Sequence, residues 1–199
     1  MKSRMLSVAL VSGLLLPAPA LAHVGDHQAV GLLQGLMHPL GGLDHLLAMV
    51  AVGLLAAREG GRALWALPAV FLAAMVLGGA FGMGGLMVPV VEPGIALSVI
   101  LLGALLCLKQ SGSTPATALL IALAGLVHGA AHGAELPAGA SALLYGLGAL
   151  GMTALLHGAG VGAVRALREG LAATAASRAL RLSGLAIGVG GTMLVLPGV

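Results

Sequence analysis

Scarcity of charge constrains this chain more than any other feature. Nine Lys and Arg and six Asp and Glu make up only 8% of its 199 residues. A water-soluble domain carries about 25% charged residues. The shortfall argues against a soluble enzyme, a disordered chain or a fibrous protein, and for an integral membrane protein. The 33 glycines and the few aromatics (Trp65, Phe71, Phe81, Tyr145) suit closely packed transmembrane helices without strong aromatic belts. Cys107 stands alone, which excludes an internal disulfide framework and a Cys-based zinc site. The pI near 9.8 looks basic. Setting aside Lys2 and Arg4, seven basic side chains face six acidic ones, so no nucleic-acid surface is expected.

Those two residues open a segment built like a secretory signal. After Lys2 and Arg4 come an apolar stretch from Leu6 to Leu16 and the small-x-small site Ala20-Leu21-Ala22. The apolar stretch is shorter than the roughly 20 residues that cross a bilayer. Residues 1–22 therefore read as a cleavable signal peptide, with an uncleaved anchor helix as the alternative. Cleavage makes His23 the new N-terminus, outside the cell, and leaves 23–199 as one membrane-embedded domain.

Within that domain the long apolar runs lack the period-two alternation of barrel strands. The reading is an all-α membrane protein, a bundle of six transmembrane helices. The spans fall at about 30–57, 63–83, 93–108, 115–135, 139–163 and 181–197. With the mature N-terminus outside, Arg58, Arg62, Lys109, Arg165, Arg168, Arg178 and Arg181 all fall on the inner side, as the positive-inside rule requires. Small residues recur at every fourth position in Gly31/Gly35, Gly78/Gly82, Gly125/Gly129/Gly133, Gly158/Gly162 and Gly184/Gly188, which reads as helix packing. Val164–Leu180 is expected as an inner connection with a short amphipathic helix. Lipid is an implied partner, and a homo-oligomer is left open.

Ionisable side chains inside a membrane cost roughly 2.5–3.5 kcal/mol each at mid-bilayer, so their presence suggests a use. Two clusters stand out. His38, Asp44 and His45 lie in HPLGGLDH of the first span. On a continuous helix His38 and His45 share a face. Pro39, Gly41 and Gly42 weaken that helix and could break it. Asp44 is read either as a ligand or as the acceptor that fixes a histidine tautomer. His128, His132 and Glu135 lie in VHGAAHGAE of the fourth span, on one stripe. The neighbouring stripe of Gly125, Gly129 and Gly133 would let another helix, the first span for instance, come close. His157, near the inner end of the fifth span, is a weaker ligand candidate, and the preferred reading is an interhelical hydrogen-bond former. Met37, Met49, Met83, Met87 and Met152 read as core or lipid-facing residues. His23, Asp26 and His27 form either a solvated tail or an outer point of metal capture. Imidazole with carboxylate and no thiolate suits borderline divalent ions such as Ni²⁺, Co²⁺ or Zn²⁺, without choosing among them.

The two strings resemble the signature motifs of the HupE/UreJ family of nickel permeases. HPxxGxDH is matched at His38, Pro39, Gly42, Asp44 and His45. FHGxAHGxE is matched at His128, Gly129, Ala131, His132, Gly133 and Glu135, with Val127 where phenylalanine is common. The resemblance implies uptake of Ni²⁺ across a bacterial cytoplasmic membrane, supplying hydrogenase or urease, with Co²⁺ as a near alternative. It implies metal roles for His38, Asp44, His45, His128, His132 and Glu135, no permanently bound cofactor, and no enzymatic activity. An intramembrane zinc hydrolase is the competing class, but HExxH and GxSxG motifs are absent from the chain. A metal-delivery or assembly partner without transport is a third reading, disfavoured by the lack of a soluble domain.

Overall fold

A computed structural model describes residues 27–86, 88–108 and 115–195. The expected signal segment 1–22, His23, Asp26 and Met87 lie outside the described residues. The elements are α1 (His27–Gly41), α2 (Leu43–Glu59), α3 (Ala63–Met83), α4 (Val88–Cys107), α5 (Pro115–Ala134), α6 (Ala142–Gly170) and α7 (Ala173–Met193), with no strand among the described residues.

The first apolar stretch is not one continuous helix. Its two halves, α1 and α2, meet at an angle of 84°. Gly42 between them is extended, with φ −107° and ψ 125°. Pro39 removes one backbone donor and Gly41–Gly42 lowers helix propensity, so the break falls where the sequence is weakest. His38 and His45 therefore do not share a helical face, as a continuous helix would have required. The bend brings them together instead.

Span boundaries agree closely for α3 and α5. Helix α4 starts at Val88, before the expected 93, because Pro89 sits in its first turn, where a missing N–H costs nothing. The expected connection over Val164–Leu180 does not exist as such. Helix α6 runs 29 residues to Gly170, and α7 resumes at Ala173. Ala, Arg and Glu are good helix formers, and no breaker intervenes before Gly170. At 1.5 Å per residue α6 is about 44 Å long, so it exceeds the roughly 30 Å hydrocarbon core and has length to spare for its charged last turns to project beyond a membrane. Among the described residues, helices α3, α4, α5 and α6 are each long and apolar enough to cross a bilayer, and Gly31–Gly41 with Leu43–Glu59 makes a fifth when the bent pair is counted as one broken span. The chain is thus a multi-pass helical membrane protein. Leu77, Leu97, Leu119 and Leu155 are exposed on its flanks, as a lipid solvent allows.

Glycines set the closest contacts. A Cβ on Gly78 or Gly82 of α3 would collide with the carbonyls of Leu126 and Ala130 on α5. In return, a Cβ on Gly129 or Gly133 would collide with the carbonyls of Met75 and Gly79. The α5 glycine stripe thus packs on α3, not on the first span. Helix α2 meets α6 through Gly53 and Gly160. Gly158 and Gly162, expected as packing glycines, have no atom near the place of an added Cβ. Gly129→Ala should therefore cut the yield of monodisperse protein at least tenfold, while Gly158→Ala leaves it unchanged. Gel filtration of matched membrane extracts measures both.

At the far end of α2, about 20 Å along the helix from His45, Arg58 and Glu59 are buried together. Arg58 donates from Nε and Nη2 to Glu59 Oε1 at 2.9 and 2.6 Å. Its Nη1 donates to the Leu105 carbonyl at 2.6 Å, capping the end of α4. Arg168 of α6 donates to the Arg58 carbonyl at 3.2 Å. These bonds tie three helix ends together at the end of the bundle opposite the histidines.

Candidate metal centre

The break at Gly42 leaves the start of α2 without a side-chain cap from that residue. Asp44 lies in the first turn, where the helix dipole favours a carboxylate. Its Oδ1 accepts from the His45 backbone N–H at 2.7 Å and from His45 Nδ1 at 2.8 Å. The second bond sets the His45 tautomer and leaves Nε2 bare, buried and without a partner. Of the two readings for Asp44, this geometry is that of the orienting acceptor.

Helix α5 supplies two more imidazoles. His128 donates from Nδ1 to the Ala124 carbonyl at 2.8 Å, one turn back, and its Nε2 is likewise unpartnered. Both ring nitrogens of His132 are buried without a partner. Glu135 follows the last turn of α5, where its Oε2 lies 3.1 Å from His38 Nε2. His38 comes from the far side of the bend. One ligand atom from each of His38, His45 and His132 lies within 4.8 Å of the others.

The rings form a chain running inward. His38 and His132 are 4.7 Å apart between centroids, His132 and His45 4.8 Å, and His45 and His128 4.9 Å. His38 and Glu135 border an open cavity of about 600 Å³ also lined by Gln34 and Asp44, whereas His128 is fully buried. So the sequence-predicted residues converge at one end of the bundle, though not as a single shell. Three imidazoles form the compact group, His128 lies deeper, Asp44 stands behind His45, and Glu135 stands at the rim. His27 begins α1.

Sequence reasoning missed Tyr145, treating it only as one of four aromatics. Its ring lies 5.8 Å from that of His38, and its buried hydroxyl has no partner. The available signal was a tyrosine inside a span, whose hydroxyl requires a partner when buried. His157 behaves as expected, donating from Nδ1 to the Met49 carbonyl at 2.8 Å across two helices. Met49 is a core residue, while Met37 and Met83 are exposed.

Buried polar atoms in folded proteins are nearly always satisfied. Within the compact group His45 and His132 keep bare nitrogens, as does His128 beside it, while His38 Nε2 faces Glu135, and imidazole is a preferred ligand for borderline divalent ions. The group can therefore hold one such ion with nitrogen donors. Gly42 protects it, since an added Cβ would overlap Asp44 Oδ1 and crowd His45 Nδ1. Gly42→Ala should weaken the binding of a borderline divalent ion by this group about 10–100-fold, the usual effect of disturbing an orienting acceptor. Isothermal titration of the purified protein with Ni²⁺ measures this.

A multi-pass helical membrane protein with an imidazole–carboxylate cluster at a helix break is the class that this fold and site define. The model of the HupE/UreJ protein family matches residues 9–194. The chain is 43% identical over 143 residues to Protein HupE of Rhizobium leguminosarum bv. viciae, covering 72% of this chain and 74% of that one. The chain belongs to the HupE/UreJ family. No solved structure matches it.

Proposed function

We propose that this chain carries Ni²⁺ inward across a bacterial cytoplasmic membrane, for delivery to a nickel enzyme such as hydrogenase or urease. The observation that carries this reading is the group His38, His45 and His132, with ligand atoms within 4.8 Å of one another and bare nitrogens on His45 and His132. Family membership supports it. Co²⁺ is the second substrate, because its ligand preferences are close to those of Ni²⁺. The topology proposed is a cleaved signal peptide over 1–22, an external N-terminus and six spans. Leu182, Leu185 and Val189 are exposed on α7, which supports α7 as the sixth. In that orientation the histidine end faces outward and the Arg58–Arg168 end inward.

Inward passage needs no nucleotide. A membrane potential of 100 mV favours entry of a divalent ion by about 4.6 kcal/mol, twice the single-charge value, or roughly a thousandfold gradient. The test is uptake of radioactive nickel into proteoliposomes containing this protein alone, with hydrolase substrates assayed in parallel. Uptake above that of empty liposomes, increased by an inside-negative potential and without hydrolysis, is the expected result. Hydrolysis without uptake would instead favour the intramembrane enzyme.

In this scheme His23, Asp26 and His27 raise the metal concentration at the outer mouth, an effective-concentration effect. Replacing all three with Ala should lower uptake severalfold at limiting nickel and leave it unchanged at saturation. Uptake curves over a range of external nickel measure the difference.

A further inference from the structure

Inward of His128 the core contains a second set of donor atoms that the outer cluster does not use. The ring of Phe71 lies between the two levels, 5.8 Å from the ring of His128 and 5.1 Å from that of His157. The imidazoles on its two sides are prepared alike. Each donates its Nδ1 proton to a backbone carbonyl 2.8 Å away, Ala124 for His128 and Met49 for His157. Each keeps a buried Nε2 with no partner. One turn before His157 on α6, the Thr153 hydroxyl lies 3.3 Å from Met49 Sδ and 3.7 Å from Met75 Sδ. Thr153 and Met49 are fully buried, and Met75 and His157 nearly so.

We propose that His157 Nε2 and the thioethers of Met49 and Met75 form a second, weaker metal station inward of Phe71, visited by a soft or borderline transition-metal ion in transit. This rests on the transport reading above. An interhelical hydrogen bond alone accounts for Nδ1 of His157, but not for a bare Nε2 buried in an apolar core, where an unmatched acceptor is costly. Imidazole and thioether are the neutral donors that suit such ions and discriminate against Mg²⁺ and Ca²⁺. Absence of a carboxylate among these donors makes the station a weak one. Conduction requires that, since an ion held too tightly does not leave.

Two variants test the station. His157→Gln retains an amide donor for the Met49 carbonyl and removes the imidazole. Met49→Leu with Met75→Leu keeps side-chain volume and removes both sulfurs. Nickel binding at the outer cluster should keep its affinity in both. Nickel influx into proteoliposomes should fall at least tenfold in the first and severalfold in the second. Unchanged influx in both variants, with normal influx by the wild type, overturns the station alone. Failure of the wild type to transport overturns the transport reading instead. Silver X-ray absorption in a Cys107→Ser background then decides the station. A sulfur shell that disappears on replacing Met49 and Met75 supports it, and a spectrum unaltered by those replacements overturns it.

Discussion

Nickel uptake should fall to the level of empty liposomes when His132 is replaced by Ala. His132 is the centre of the outer cluster, with ring contacts to both His38 and His45, and its two nitrogens have no other partner. Removing it leaves His38 and His45, on opposite sides of the helix break, without the α5 donor between them. The remaining donors are then split, His38 with Glu135 on one side and His45 with His128 on the other, with no imidazole joining them. Insertion should be unaffected, because it depends on apolar span length, and α5 gains helix propensity from alanine. Single Ala replacements of His38, Asp44, His128 and Glu135 should also abolish uptake at near-normal membrane levels. Asp44→Asn distinguishes the two readings of that residue. As an orienting neighbour, Asn should retain part of the uptake. Radioactive uptake normalised to the amount of folded protein gives each value.

The second large effect is on stability. Arg58→Leu should lower the stability of the folded protein by about 3–5 kcal/mol, the usual result of removing one member of a buried ion pair. Glu59 is only 3% exposed at its side chain, and its Oε2 already has no partner. Loss of Arg58 leaves that carboxylate without its guanidinium neighbour and the Leu105 carbonyl without its 2.6 Å donor. Adding Glu59→Leu should recover a large part of the loss, because the charge disappears with its partner. Thermal unfolding of the single and double variants in one detergent measures the coupling. Equal stability of the two would mean that Glu59 is not the source of the penalty.

Much of this site is legible from residue spacing. His128, His132 and Glu135 need only a regular helix to align, and α5 is one, so their common stripe follows from periodicity. The break at Pro39–Gly42 was also visible, but its angle was not. Propensity marks where a helix is weak and carries no information on the direction in which the chain continues. For the same reason the sequence could place His38 and His45 together only through a continuous helix, whereas the fold does so by bending. The partner of the α5 glycine stripe stays open in the sequence because small residues license close approach without naming the neighbour. Tyr145, Phe71 and Thr153 stayed hidden because single residues on a helix acquire significance only from what packs opposite them. The extent of α6 was misjudged because charge was taken as an end signal. Arg165, Arg168 and Glu169 are compatible with a helix that continues past the membrane surface.

The bend at Gly42 also has mechanical meaning. His38 is borne by α1, which abuts α6 through Gly35 and Gly148, while His45 is borne by α2. His38 lies four residues from the hinge, a lever arm of about 6 Å at helical rise. A 10° swing of α1 about Gly42 displaces the His38 backbone by about 1 Å, and a metal–nitrogen bond is only about 2.0–2.1 Å long. Small pivoting of one short helix is thus sufficient to undo one of three attachments, with the remaining two undisturbed. Under the transport proposal, grip and release then require only the pliancy of the glycine joint and a small slide of α1 along its glycine contact with α6.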